Sequence, residues 1–218
     1  MFLASLGKAV LISCAWASLG LAQAAQPVAA SDSAARARAR ADSARLPYTK
    51  ADIDFMTHMI SHHAQAIVMA KMAPTHGASE SVQTLCGRII NAQHDEIVLM
   101  QNWLRDRNQP VPEAKPMPMK MVMDGQEMEM LMPGMLSDEQ MKQLDAARGV
   151  EFDRLFLTFM IQHHKGAIQM VDTLFNTPGA GQDEIVFKFA NDVQADQSTE
   201  IDRMQQMLAA LPEKRVDR

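Results

Sequence analysis

Aromatic residues make up only 5% of this 218-residue chain, whereas 19 residues are Met and many others are Ala, Leu and Gln, a mixture that favours helix over strand. Cysteine is nearly missing. Of the two present, Cys14 lies in an apolar N-terminal segment, so a processed chain keeps only Cys86 and has no internal disulfide to lean on. Cys86 sits on an apolar stripe with Val82 and Ile89 and reads as a packing residue. Basic charge is not in excess. A net charge of -5 and a pI near 5.8 leave no electrostatic footprint for nucleic acid. No Asp or Glu is followed three residues later by His and no HExxH occurs, so the signatures of a di-iron carboxylate centre and of a zincin are both missing. No Ser or Cys nucleophile arrangement stands out, and an enzyme is not the expectation.

There is also no apolar run long enough for a retained membrane span. The run Ala9 to Leu21 follows Lys8 and ends in Ala22-Gln23-Ala24, the small-x-small form of a signal peptide cleaved after Ala24. A rival reading takes Leu11-Ile12-Ser13-Cys14 as a lipoprotein box with Cys14 acylated, but its apolar stretch falls short of the roughly 7 to 15 residues usual for such regions. Residues 1–24 are therefore read as a signal peptide and the chain as periplasmic or secreted. Residues 25–46, rich in Ala, Ser, Arg and Pro, cannot bury enough apolar surface to offset ordering entropy and read as a flexible tether.

What the chain does have is a repeat. His62-His63 recurs 101 positions later as His163-His164, and Phe55, Met59, Ile60, Ala66, Ile67 and Met69 recur as Phe156, Met160, Ile161, Ala167, Ile168 and Met170. Farther on, Glu96, Ile97, Met100 and Leu104 recur as Glu200, Ile201, Met204 and Leu208. Each copy reads as a helical hairpin. The first spans about 49–107, opened by the capping-box pattern Thr49 to Asp52 and interrupted by Pro74 and Gly77; the second spans about 150–211. Ser137 to Gln140 is a further capping box that starts a short helix, which Gly149 interrupts. Two such hairpins bury their apolar faces most simply as an all-α four-helix bundle occupying 47–211.

The repeated residues are also ligand types. Met59 is one turn before His63 and Met160 one turn before His164, so each pair shares a helix face. Pseudo-symmetry could join the two faces into a centre with two sulfur and two nitrogen ligands, a set that suits Cu(I) or Ag(I). His62 and His163 address a different neighbour, about 100° around the helix. His58 forms an i, i+4 pair with His62, and Met69 lies two turns beyond His62; the second copy keeps His163 and Met170 but has Phe159 where the first has His58. His94, matched by Ser198, reads either as a ligand reaching across the bundle or as a surface histidine.

The connecting segment 109–135 contains five prolines and cannot be a regular helix. It holds Met117, Met119, Met121, Met123, Met128, Met130, Met132 and Met135 among charges, a density that core packing does not explain. Thioethers do not titrate, resist disulfide chemistry and select Cu(I) over Zn(II) or Fe(II). The alternative is an adaptable Met surface for a partner protein.

The strings FMTHMISHHAQAIVMA and FDRLFLTFMIQHHKGAIQM, with MPGMLSDEQMKQL ahead of the second, resemble a bacterial domain-of-unknown-function family that includes the copper-binding protein CopM. The resemblance covers roughly residues 50 to 210. It implies a ferritin-like bundle, export to the periplasm, and binding of copper or silver through Met59, His62, His63, Met160, His163 and His164. The function expected is capture or handover of periplasmic copper, with copper ions and another periplasmic copper protein as partners. Two other readings stay open, a metal-free interaction module of the envelope and a ferritin-like di-iron oxidase.

Overall fold

The computed structural model describes residues 48–123 and 125–212, together with Arg36 and Arg38, which are helical and exposed. The expected signal peptide, Cys14 and the rest of the 25–46 tether lie outside the described residues. Five helices account for most of what is described: α1 (Lys50–Ala70), α2 (Glu80–Asp106), α3 (Asp138–Ala146), α4 (Gly149–Asn176) and α5 (Glu184–Ala209). Between α2 and α3 lies a two-stranded antiparallel ribbon, β1 (Met119–Met123) with β2 (Gln126–Met130). The chain is helical with this one short sheet among the described residues.

Local chemistry sets the helix ends. Thr49 and Asp52 form a reciprocal capping box at α1, and Ser137 and Gln140 form another at α3. Ser79 caps α2 and Asp183 caps α5 through their side-chain oxygens. Asp52, fully buried, also accepts from Gly181 N at 2.7 Å, while buried Asp153 accepts from Ser79 N at 3.2 Å. A carboxylate on each long inner helix thus ties down the turn that leads into an outer helix of the other hairpin.

Helix α1 packs on α2, α4 packs on α5, and α1 meets α4. The core divides into two apolar clusters. One contains Met69 and Ala70 of α1, Ile89 of α2, Phe156 and Met160 of α4, and Ile201 and Met204 of α5. The other contains Phe55 and Met59 of α1, Ile97 and Met100 of α2, Met170 and Val171 of α4, and Val186 and Val193 of α5. The first half of α1 therefore packs beside the second half of α4. That pairing makes the two inner helices antiparallel.

As expected, the connecting segment is not helical, but it forms a ribbon, and core packing does account for two of its methionines. Met alternates with Lys120, Val122 and Glu129 along the ribbon, Met119 pairs with Met130 and Met121 with Met128, and Gly125 takes the turn at φ +78. Met132 and Met135 are core residues, exposed by only 2% and 5%. The reason is a loop dipping between α1 and α4. Gln65 bonds both the N–H of Leu136 at 2.7 Å and its carbonyl at 3.0 Å, and Gln162 donates to the Gly134 carbonyl at 3.2 Å. Gly134 has φ +75, and a Cβ on Gly166 would lie 1.9 Å from the Pro133 oxygen. Backbone fills the space a side chain would need.

Gly166→Ala should accordingly destabilise the fold by roughly 1–3 kcal/mol through overpacking. Gly87→Ala, where a Cβ meets nothing within 4 Å, should instead stabilise by up to about 1 kcal/mol. Urea unfolding of both variants checks this, and equal stability of Gly166→Ala and the parent would mean that the loop does not lie against α4.

Candidate metal centre

Between the two apolar clusters lies a polar layer to which all four long helices contribute. On α1 it holds His62 and His63, on α4 His163 and His164, on α2 Gln93 and Glu96, and on α5 Gln197 and Glu200. The four histidines are completely buried and both glutamines nearly so. Such a layer is costly unless every polar atom finds a partner.

Three of the four Nε2 atoms find hydrogen-bond partners, and the fourth lies against a carboxylate. His62 Nε2 lies 2.9 Å from the Pro133 carbonyl, and His163 Nε2 lies 3.0 Å from the His62 carbonyl. A carbonyl only accepts, so both rings carry their proton on Nε2 and a lone pair on Nδ1. His164 Nε2 is bonded to Glu200 Oε2 at 2.7 Å. His63 Nε2 stands 2.8 Å from Glu96 Oε2, close enough for an ion pair but off the line of a good hydrogen bond. The same contact thus occurs once in each hairpin.

The Nδ1 atoms do not. Those of His62, His63, His163 and His164 are all buried without a hydrogen-bond partner, as are Gln93 Oε1 and both side-chain polar atoms of Gln197. Burial also sets the charge. Desolvation, followed by the neighbouring His63, lowers His62 to about 3, and desolvation followed by His62, His164 and His63 holds His163 well below the ordinary imidazole range. At neutral pH both rings are uncharged bases. His62 and His163 lie almost in contact, with ring centroids 3.9 Å apart at 41°.

A buried imidazole whose Nε2–H is held by a carbonyl or carboxylate, with a free Nδ1, is oriented as metal-ligating histidines are oriented by their outer partners. Among the described residues, however, no three His, Cys, Asp or Glu side chains converge as a metal site. Any ion in the layer must complete its shell with something else. Thioethers are at hand, since Met59 and Met160 are fully buried one turn before His63 and His164. They fall in different apolar clusters, on opposite sides of the layer, so the sequence-based idea of one centre with two sulfurs and two nitrogens is not assembled. Met59 shares its cluster with Met170, and Met160 shares its cluster with Met69.

The remaining candidates separate clearly. His94 is 68% exposed, 3.6 Å from Asp95, and faces away from the layer. His58 is half-buried and lines a cavity with Met119, Met132 and Met170. Met117, Met128 and Met130 are exposed, while the side chains of Met121 and Met123 lie outside the described parts. Glu96, Glu200, Gln93 and Gln197 were not among the sequence candidates. Their signal was available, since Glu96 and Glu200 repeat with the core, and Gln93 and Gln197 repeat at the same offset three residues before them.

The sequence profile of DUF305, a domain of unknown function, matches residues 52–208. A DUF305 protein from Streptomyces coelicolor is 27% identical, with a TM-score of 0.61 over 76% of this chain and 98% of its own. A DUF305 fragment from Deinococcus radiodurans is likewise 27% identical, with a TM-score of 0.62 over 76% and 99%. CopM in its Cu(I)-bound form is 29% identical, with a TM-score of 0.54 over 75% and 97%. CopM has also been solved with Cu(II) and with Ag bound. No curated protein matches the chain. No catalytic family is indicated by these relatives, and no helix among the described residues is long and apolar enough to cross a membrane.

The lowered imidazoles make stability depend on pH. Because the folded His62 titrates near 3 and an unfolded histidine near 6.5, the unfolded chain binds the extra proton between those values. Stability is therefore full above about pH 6.5 and is lost as pH falls. Urea unfolding between pH 6 and 5 should show a loss of up to about 1.4 kcal/mol per pH unit for each such ring. His62→Gln, which can still donate to the Pro133 carbonyl, should flatten that slope; an unchanged slope would place the titration elsewhere.

Proposed function

We infer that this chain, which belongs to the DUF305 family of domains of unknown function, is an exported soft-metal protein that takes Cu(I), and Ag(I) by the same chemistry, at its histidine layer. The observation that carries this is the set of four buried imidazoles whose Nδ1 atoms are unpartnered, three of them with Nε2 hydrogen-bonded and the fourth, His63, with Nε2 set against Glu96. A structural layer would satisfy those atoms or dispense with them. Soft, low-coordinate ions fit a dry site of neutral nitrogen and sulfur donors, where hard ions would want more oxygen ligands. CopM supports the reading, having been solved with copper and with silver. The two half-sites are His63 with Met59 and His164 with Met160. His62 and His163 stand between them.

The architecture is read as a ferritin-like four-helix bundle made from two duplicated hairpins, each supplying one half-site. Residues 1–24 direct export and leave the domain in the periplasm, where lowering free Cu(I) protects the cell. Its role is capture of the ion or handover to another periplasmic copper protein. A second reading has one observation in its favour, the exposure of Met117, Met128 and Met130, which would suit a metal-free partner surface.

Competition against a chromophoric Cu(I) chelator separates the two. The full chain should withdraw Cu(I) from the chelator and leave Zn(II) with a competing ligand. Glu96→Gln and Glu200→Gln, which remove the carboxylates behind His63 and His164, should each weaken Cu(I) binding by about 10–100-fold. Undiminished affinity in a combined Met59→Leu, His63→Gln, Met160→Leu, His164→Gln variant would show that the layer is not the site. No competition by the parent chain would favour the partner surface.

A further inference from the structure

The cavity beside His58 is separate from the histidine layer and has its own ligand chemistry. It measures about 340 Å³ and is bounded by α1, β1, the chain after β2, and α4. Those four segments bring His58, Met119, Met132 and Met170 to one space. A neighbouring cavity of about 330 Å³ shares His58, Met119 and Met132 and adds Met117. Core methionines ordinarily fill space. Here three of them border open volume beside an imidazole.

We propose that this cavity is a second, outer soft-metal site, in which the His58 imidazole and the thioethers of Met119, Met132 and Met170 hold a monovalent Cu(I) or Ag(I). The site rests on the reading of the chain as a soft-metal protein, but its residues are not those of the layer. Among the described residues nothing hydrogen-bonds to the His58 ring, which stays free to ligate. Asp54, one turn away on α1, lines the same cavity, but its carboxylate is paired with Lys50 Nζ at 2.6 Å, so the ligand set rests on the imidazole and the thioethers. Thioethers supply no charge, so the donor set suits a soft monovalent ion better than Zn(II) or Mg(II). Phe159 occupies the position matching His58 in the second hairpin, so the outer site exists on one side only.

The geometry also connects the outer site to the inner one. Met132 lines the cavity, and the next residue, Pro133, lines it too while its carbonyl holds His62 Nε2. A ligand that draws on Met132 pulls on the segment that orients a histidine of the layer. On the solvent side, Met119 pairs across the ribbon with Met130, which is 44% exposed. Directly opposed side chains in such a pair are about 5 Å apart, so a thioether surface leads from solvent to the cavity.

Methionine methyl NMR during Ag(I) titration of the full chain tests this, with signals assigned by single Met→Leu variants that keep the side-chain volume. Expected are shifts at Met119, Met132 and Met170, separate from those at Met59 and Met160, and their loss in His58→Phe while the inner shifts remain. Shifts at Met59 and Met160 alone would overturn the outer site and leave the layer standing. Shifts at the outer three alone would support the outer site and remove the layer as a silver site. Outer shifts that survive His58→Phe would overturn the assigned ligand set, and no shifts anywhere would overturn both sites.

Discussion

A neutral imidazole buried between two apolar clusters has one N–H that must be given to something, and the Nε2–H of His163 goes to the backbone carbonyl of His62. That bond depends on the register of α1 against α4. A slip of one helical turn would move the carbonyl by 5.4 Å and leave the proton stranded. Apolar side chains alone tolerate such a slip far better, because packing between Met, Leu and Ala is adaptable. The polar layer therefore makes one antiparallel arrangement of the inner helices much better than its neighbours. The contacts of His63 with Glu96 and of His164 with Glu200 then extend the constraint to the outer helices.

The two halves are alike but not equivalent, and the difference comes from the connecting segment. His163 donates to a carbonyl of the other inner helix, whereas the proton of His62 goes to Pro133 in the inserted loop. Room for that loop exists because Gly166 lacks a side chain at the point of closest approach; the corresponding residue of α1 is Gln65, which bonds the loop at Leu136. One position thus yields space and its counterpart yields hydrogen bonds. The loop seats on one side of the inner helices, and with it come Met132, Met135 and the ribbon.

Much of this was readable locally. Helix starts at Thr49, Ser79 and Ser137 follow from capping residues, which act within three positions. The burial of His63 and His164 follows from their place among repeated apolar positions. Burial of Met132 and Met135 was not readable, because it depends on Gln65, Gln162 and Gly166, which are distant in sequence. The ribbon had a signal that the proline count obscured: Met alternates with other residues on either side of Gly125. The choice between His94 and Glu96 turns on angle alone. They lie about 200° apart around α2, and the stripe of Ile89, Ile97 and Met100 runs past Gln93 and Glu96 rather than His94.

Under the proposed function, the burial that makes the layer demanding as structure would also make it selective as a site. The cost of moving an ion from water into a low-dielectric interior rises with the square of its charge, so a divalent ion loses about four times as much solvation as a monovalent ion of the same size. Neutral imidazole and thioether ligands return polarisability but no charge. Among the described residues of the layer the carboxylates that could offset a second positive charge are Glu96 and Glu200, both already facing histidine Nε2 atoms, while the oxygens of Gln93 and Gln197 carry no charge. Zn(II) bound by the nitrogen and sulfur atoms would retain its full charge in the core; Cu(I) or Ag(I) would retain half of it. On that reading selectivity would arise from two separate terms, the softness of the donors and the burial of the charge, and both favour the same ions.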